Sequence, residues 1–164
     1  TVERVPDAEF EAVCARIADK RRACHLVGGR FTDAIAAYLT AHLRIVRPGV
    51  RKLEERRANR ADQLLDVNAR DTVIMFDIRR YDAELMRLAE EAKERRAAVV
   101  LITDTWISPV SRHARYVLPC AIDVARTWDS SAALFAMSEA IIARVTERSW
   151  TDAKARVQAK EDLT

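Results

Sequence analysis

Apolar positions in this chain fall into two patterns: short uninterrupted runs, and longer stretches with apolar residues three and four apart. The spaced stretches predict helices. Phe10, Val13, Cys14 and Ile17 predict one over residues 7–22. Ile35, Tyr38, Leu39 and His42 predict a second over 32–42. Leu53, Ala61, Leu64 and Leu65 offer a buried stripe for a charged helix over 51–65. Leu85, Leu88, Ala89 and Ala92 do so for 82–96. A long helix over about 130–147 follows a cap at Asp129-Ser130, and a charged one over 150–162 closes the sequence. The uninterrupted runs, 24–28, 43–47, 72–76, 97–102 and 116–119, predict strands. Pro48-Gly49 is expected to end the second of them, and Ser108-Pro109 to open a helical turn.

Strands without polar alternation are covered on both faces, as in a parallel sheet. Strands alternating with helices give an α/β layer fold. The fold class is a single doubly wound five-stranded parallel sheet with helices on both faces. Ligands in such folds sit beyond the carboxyl ends of the strands. That rule selects the loops at 28–33, 77–82, 103–108 and 120–130. At the first, Gly28-Gly29 joins a strand to a helix that Thr32 or Asp33 can cap. Free N–H groups at a positive helix end suit an anion.

The sequence has 164 residues, enough for one domain with a sizeable core. No apolar run approaches the ~20 residues of a membrane span, and no secretory signal is visible. The net charge of +3, from 28 basic and 25 acidic residues, is too small an excess to imply nucleic-acid binding by this segment. Cys14, Cys24 and Cys120 form no CxxC or zinc pattern and fit packed thiols in a reducing cytoplasm. His25, His42 and His113 lack ligand spacing. Gly28-Gly29-Arg30 does not give the dinucleotide fingerprint.

Five ordered motifs carry a family resemblance. They are Val27-Gly28-Gly29-Arg30-Phe31-Thr32, Arg47-Pro48-Gly49-Val50, Phe76-Asp77-Ile78-Arg79-Arg80-Tyr81, the stretch from Leu101 through Thr103-Asp104 to Ser108-Pro109, and Trp128-Asp129-Ser130. Together the sequence resembles the SIS (sugar isomerase) domain of RpiR/MurR-type bacterial transcriptional regulators. The resemblance implies strand order 2-1-3-4-5 and a cytoplasmic, non-enzymatic effector domain. Such a domain binds a carbohydrate derivative or another small anionic metabolite and forms a homodimer. It implies a linker helix over 1–22, an SIS domain over 23–148 and a C-terminal helix over 149–164. DNA would be met only through a helix-turn-helix domain that does not fit in these residues. No cofactor, metal, membrane contact or catalytic residue is implied.

The strand-end rule and the resemblance together nominate Gly28, Gly29, Arg30, Phe31, Thr32, Asp77, Arg79, Arg80, Tyr81 and Ser130 as ligand-binding residues. One departure matters. Sugar-phosphate SIS domains carry a Ser-x-Ser-Gly-x-Thr loop after the third strand, where this chain has Asp77-Ile78-Arg79-Arg80-Tyr81-Asp82. Asp77 and Arg79 take the serine places and Asp82 the threonine place. An ionised Asp77 would repel a phosphate at 4 Å by about 4 kcal/mol at an effective dielectric near 20. Arg79 or Arg80 would attract it, through a fork suited to phosphate or carboxylate. The loop therefore either binds an anion through guanidinium groups or closes on an internal Asp77–Arg ion pair. Asp104 and Ser108 suit turn or cap roles. Trp106, Trp128 and Trp150 suit the core or a dimer interface. Glu139, in the region where SIS enzymes can hold a base, suits a solvated helix face. An isomerase or lyase on the same fold and a ligand-free dimerisation module remain the competing readings.

Overall fold

A computed structural model describes residues 6–54, 57–125 and 128–163. The main chain runs α1 (Asp7–Ala18), β1 (Cys24–Gly28), α2 (Asp33–Val46), β2 (Val50–Lys52), α3 (Arg57–Leu65), β3 (Thr72–Asp77), α4 (Ala83–Glu94), β4 (Ala98–Asp104) and β5 (Tyr116–Cys120). A small hairpin of β6 (Asp123–Ala125) and β7 (Trp128–Asp129) precedes α5 (Ala132–Arg148) and α6 (Trp150–Glu161). The five main strands form one parallel sheet in the order β2-β1-β3-β4-β5. This is the expected order. The expected linker over 1–22 and the expected helix over 51–65 each include residues outside those described, namely 1–5 and 55–56.

Side chains alternate across the sheet, and the alternation sorts the core into two layers. Leu26, Ile74, Phe76, Val100, Ile102 and Leu118 pack with residues of α1, α2 and α5. Val27, Val73, Met75, Val99 and Leu101 pack with Leu64 of α3 and Leu85, Leu88 and Ala92 of α4. Each fully buried side chain of this size contributes roughly 1.5–3 kcal/mol. Both layers being closed explains why these strands lack polar alternation in sequence.

Two expectations are corrected. The segment 43–47 is not a strand: α2 continues to Val46, and Leu43 and Val46 extend the buried stripe of Ile35, Ala36 and Leu39. The β-branched run there is a helical face, and Pro48-Gly49 closes the helix. Gly49 sits at φ +71°, a left-handed turn that suits glycine, and the second strand begins after it. In α3 only Leu64 of the expected C-terminal pair is buried, while Leu65 is 74% exposed.

Arg47 is a large polar group in the core that the apolar pattern gave no sign of. It is fully buried, and its guanidinium donates to the carbonyls of Ile17 and Arg22, to Pro48 O at 2.9 Å and to Cys24 Sγ at 3.2 Å. Ile17 lies in the last turn of α1, where carbonyls have no partner within the helix. Arg47 supplies one, fastening the end of α1 to the start of β1.

Candidate functional site

The C-terminal ends of β1, β3 and β4 carry three of the four loops that the fold rule selects, and each of the three is held by a buried acceptor or hydroxyl. At the end of β1, a Cβ on Gly28 would stand 2.4 Å from Asp33 N and from the Thr32 carbonyl carbon. The first turn of α2 folds back so closely that only glycine fits. A Cβ on Gly29 would meet nothing nearer than 3.7 Å, so that glycine is not sterically required. The Thr32 hydroxyl accepts from Gly29 N–H at 2.9 Å and donates to Phe76 O at 2.6 Å. It ties the β1 loop to β3. Thr32 is at the N-cap position of α2 but makes no side-chain cap. It is buried, and in the structure it serves as a bridge between the β1 loop and β3.

Asp77 closes β3 and is likewise turned inward. One of its oxygens accepts from Asp82 N–H at 3.1 Å, and the other takes a short hydrogen bond from the Ser108 hydroxyl. Burial pushes its carboxyl above the ordinary carboxylate range, while the bonds from Ser108 and Asp82 pull it back in part. The alternative of an Asp77–Arg ion pair does not form among the described residues: Asp77 is satisfied by a hydroxyl and an amide from the neighbouring loops. Ser108 also caps the short turn Pro109–Arg112 by accepting from Val110 N–H at 3.1 Å. Asp82 caps α4 through Glu84 N–H at 2.8 Å.

Asp104 ends β4 and is fully buried. Three donors converge on it: Arg79 N–H at 2.7 Å, the Tyr81 hydroxyl at 3.0 Å and Trp106 N–H at 2.9 Å. Burial first, and then the Asp104 carboxylate, push the Tyr81 hydroxyl up to about 12. Asp104 thus shapes both its own loop and the one after β3. Arg80 and Ile107, in these two loops, sit at φ +69° and +63°. Ile107 is β-branched, and such a residue adopts this region only under constraint.

The Arg79 side chain points outward and lies over the Trp106 ring, 4.2 Å from its centroid. It pairs with Asp129 at 2.9 Å and Asp123 at 3.3 Å. A single guanidinium therefore joins the β3 loop, the β4 loop and the β6–β7 hairpin. The sequence expectation missed this hairpin, whose two strands are only three and two residues long. Arg30 and Arg80 are exposed, and among the described residues neither pairs with a carboxylate. Arg30 rests on the Phe31 ring at 5.2 Å. Ser130 is half-buried, and its hydroxyl accepts from Ala132 N–H at 3.2 Å.

The nominated residues thus divide. Gly28, Thr32 and Asp77 face inward and build the loops. Gly29, Arg30, Phe31, Arg79, Arg80, Tyr81 and Ser130 lie at least partly at the surface of the strand ends. Glu139 is exposed on α5, as expected, and accepts from the Tyr38 hydroxyl. The tryptophans are not core residues of this chain: Trp106, Trp128 and Trp150 are 53%, 75% and 62% exposed. No group of three or more His, Cys, Asp or Glu side chains is placed to hold a metal ion among the described residues. No helix among them is long and apolar enough to cross a membrane.

The order of the sheet, with three loops gathered at the carboxyl ends of its strands, defines a doubly wound α/β domain. The chain belongs to the SIS domain family, whose model matches residues 16–144. Among solved structures it is similar to the sugar isomerase domain of an RpiR transcription factor from Sphaerobacter thermophilus. That pair is 22% identical with a TM-score of 0.89, covering 98% of this chain and 89% of the other. It is similar to Vibrio vulnificus NanR complexed with ManNAc-6P, at 16% identity and TM-score 0.82, covering 99% of this chain and 63% of that one. It is also similar to a protein from Methanococcus jannaschii whose structure infers a 3-hexulose-6-phosphate isomerase function. There the identity is 11% and the TM-score 0.73, covering 93% of this chain and 83% of the other. Among curated proteins, none matches.

Proposed function

We propose that this SIS domain is the ligand-sensing, dimerising half of an RpiR-like transcriptional regulator, holding a carbohydrate derivative or other small anion at the carboxyl ends of its strands. The observation that carries the reading is the division of labour at that edge. Asp77, Asp104 and Thr32 spend their polar atoms on loop structure, while Arg30 and Arg80 stand exposed beside the Arg79–Trp106 stack. Such a rim offers cations and an aromatic surface to a ligand. Asp77, Asp104, Asp123 and Asp129 are engaged by donors or by Arg79, which supports sensing over turnover. A phosphate would be met by guanidinium groups in place of the hydroxyl loop. Because Asp123 and Asp129 offset Arg79, a singly charged sugar acid suits the rim at least as well as a dianionic ester.

Similarity to an RpiR regulator domain and to NanR complexed with a phosphosugar supports this reading. So do Phe31 at 65% and Trp128 at 75% exposure, apolar surface of the kind a second subunit covers. Under the proposal residues 1–22 serve as the linker to a DNA-binding head and 149–164 as a C-terminal helix. The effector acts by favouring one dimer arrangement over another.

The test is calorimetric titration of the dimer, checked by light scattering, with phosphosugars, sugar acids and neutral sugars, each also assayed for isomerisation. Saturable binding without turnover, weakened by Arg30→Ala and Arg80→Ala, supports the proposal. Turnover abolished by Glu139→Gln replaces it with the isomerase reading. Silence toward every compound leaves a ligand-free dimerisation module.

A further inference from the structure

The opposite end of the sheet, where the strands begin, carries a second concentration of positive charge. An open cavity of about 230 Å³ lies there between the end of α4, the start of β4 and the turn before β5. Its polar lining is Lys93, Arg96, His113 and Arg115, and among the described residues no carboxylate lines it. None of these four forms an ion pair with a described residue. Unpaired Lys and Arg side chains around a concave site focus positive potential into it.

The simplest structural role for such residues is to neutralise the carbonyl end of a helix. That role is already filled at α4. Arg95 N–H donates to Glu91 O, Arg96 N–H to Lys93 O and Ala97 N–H to Ala92 O. Lys93 reaches the carbonyl of Arg112 at 3.3 Å, which ties the two walls together. Arg96 is held at φ +62° by the same turn, a left-handed geometry in which glycine or asparagine would be the cheaper choice. Arg115 lies against the Tyr116 ring, 5.4 Å from its centroid, so its stem is directed and not free. The field extends to the next strand start. Burial, and then the charges of Arg22 and Arg115, hold the Arg16 guanidinium below its ordinary range.

We infer that this cavity is a second anion site, on the far side of the sheet from the strand-end cleft, for a compact multivalent anion such as a phosphate ester or pyrophosphate. Lys93 and Arg96 line it from the α4 side and His113 and Arg115 from the turn before β5, and forked guanidinium groups match tetrahedral oxyanions. The concave shape and short span favour a small anion over a nucleic-acid backbone. The inference is independent of what occupies the strand-end cleft.

Amide NMR of the 164-residue chain, titrated with inorganic pyrophosphate, tests it. Saturating shifts are expected at Ala97, Ala98, Ala114 and Arg115, and added salt weakens them. The double variant Arg96→Asn, Arg115→Gln keeps a residue suited to the left-handed turn and removes two cations. It is expected to bind roughly tenfold more weakly, about threefold for each exposed charge. Arg30→Ala, at the other end of the sheet, is expected to change nothing here. Shifts confined to residues 28–33 and 79–81, shifts that never saturate, or a double variant that titrates like the native chain would each overturn the assignment. Tighter titration of the same amides by a DNA duplex would overturn it in favour of a nucleic-acid surface.

Discussion

Replacing Asp104 by Asn exchanges one carboxylate oxygen for an NH2 group at a place where three donors converge. One oxygen takes Arg79 N–H at 2.7 Å, and the other takes the Tyr81 hydroxyl and Trp106 N–H. The least costly placement turns the new amide toward Arg79 and keeps the doubly used oxygen. One bond to a charged acceptor is then lost, and two donors are left face to face. Bonds to charged groups contribute about 1.5–3 kcal/mol, and a buried donor left without a partner costs a similar amount. Because Asp104 is fully buried, water does not replace the lost acceptor without opening the loop. The expected loss is about 2–3 kcal/mol, or roughly 5–10 °C in Tm for a chain of this size. Tyr81→Phe removes only one of the three donors and is expected to cost about 1 kcal/mol. Differential scanning calorimetry of both variants, with urea unfolding as a second measure, decides the matter. An Asp104→Asn midpoint within about 1 °C of native, or a Tyr81→Phe loss as large as that of Asp104→Asn, would show that the carboxylate does not organise the two loops.

Asp77 gives a pH signature. Its carboxyl is raised by burial, so the folded state holds that proton more firmly than the unfolded chain does. Its contribution to stability is therefore greatest below the ordinary carboxylate value and is lost as pH rises through the raised one. Asp77→Asn removes this dependence, and the variant's stability relative to native is expected to climb between about pH 4 and neutrality. A pH-independent difference in urea unfolding would contradict it. Gly28→Ala forces a Cβ to within 2.4 Å of backbone atoms and is expected to destabilise by about 3 kcal/mol or more, whereas Gly29→Ala is expected to stay within about 1 kcal/mol of native in the same unfolding assay. Cys14, Cys24 and Cys120 are buried, and burial pushes their thiols up to about 12, 11 and 12. A thiol reagent near neutral pH is expected to label none of them until the chain unfolds. Rapid native labelling would mean that the core opens locally.

The sheet was legible because its central strands are the apolar runs that two-sided burial demands, and β1, β3 and β4 lie where those runs lie. β2 was not, because burial and not β-branching decides between the two periods. Leu39, Leu43 and Val46 form one helical stripe, and the true strand has just three residues. At the strand ends the sequence showed that the hydroxyl loop was missing. It could not show which neighbour would satisfy Asp77. Ser108 lies thirty-one residues further on and reaches it only because β3 and β4 are adjacent and in register. The same holds for Arg79, whose partners Asp123 and Asp129 belong to a hairpin too short to leave a pattern. The burial of Arg47 left no signal at all, since a guanidinium bound to carbonyls needs no acidic residue nearby in sequence.

The inward-facing acids have an evolutionary consequence. Asp77 and Asp104 dictate the course of the two loops from positions that solvent scarcely reaches. Arg80, exposed in the same loop as Arg79, pairs with no carboxylate among the described residues and contributes little to that course through its side chain. The frame and its facing are written by different codons. Mutation can therefore repaint the outer surface of this edge, exchanging charge for aromaticity or bulk for reach, while the scaffold beneath keeps its shape. A lineage built this way can change what it recognises in single steps, without passing through an unfolded ancestor.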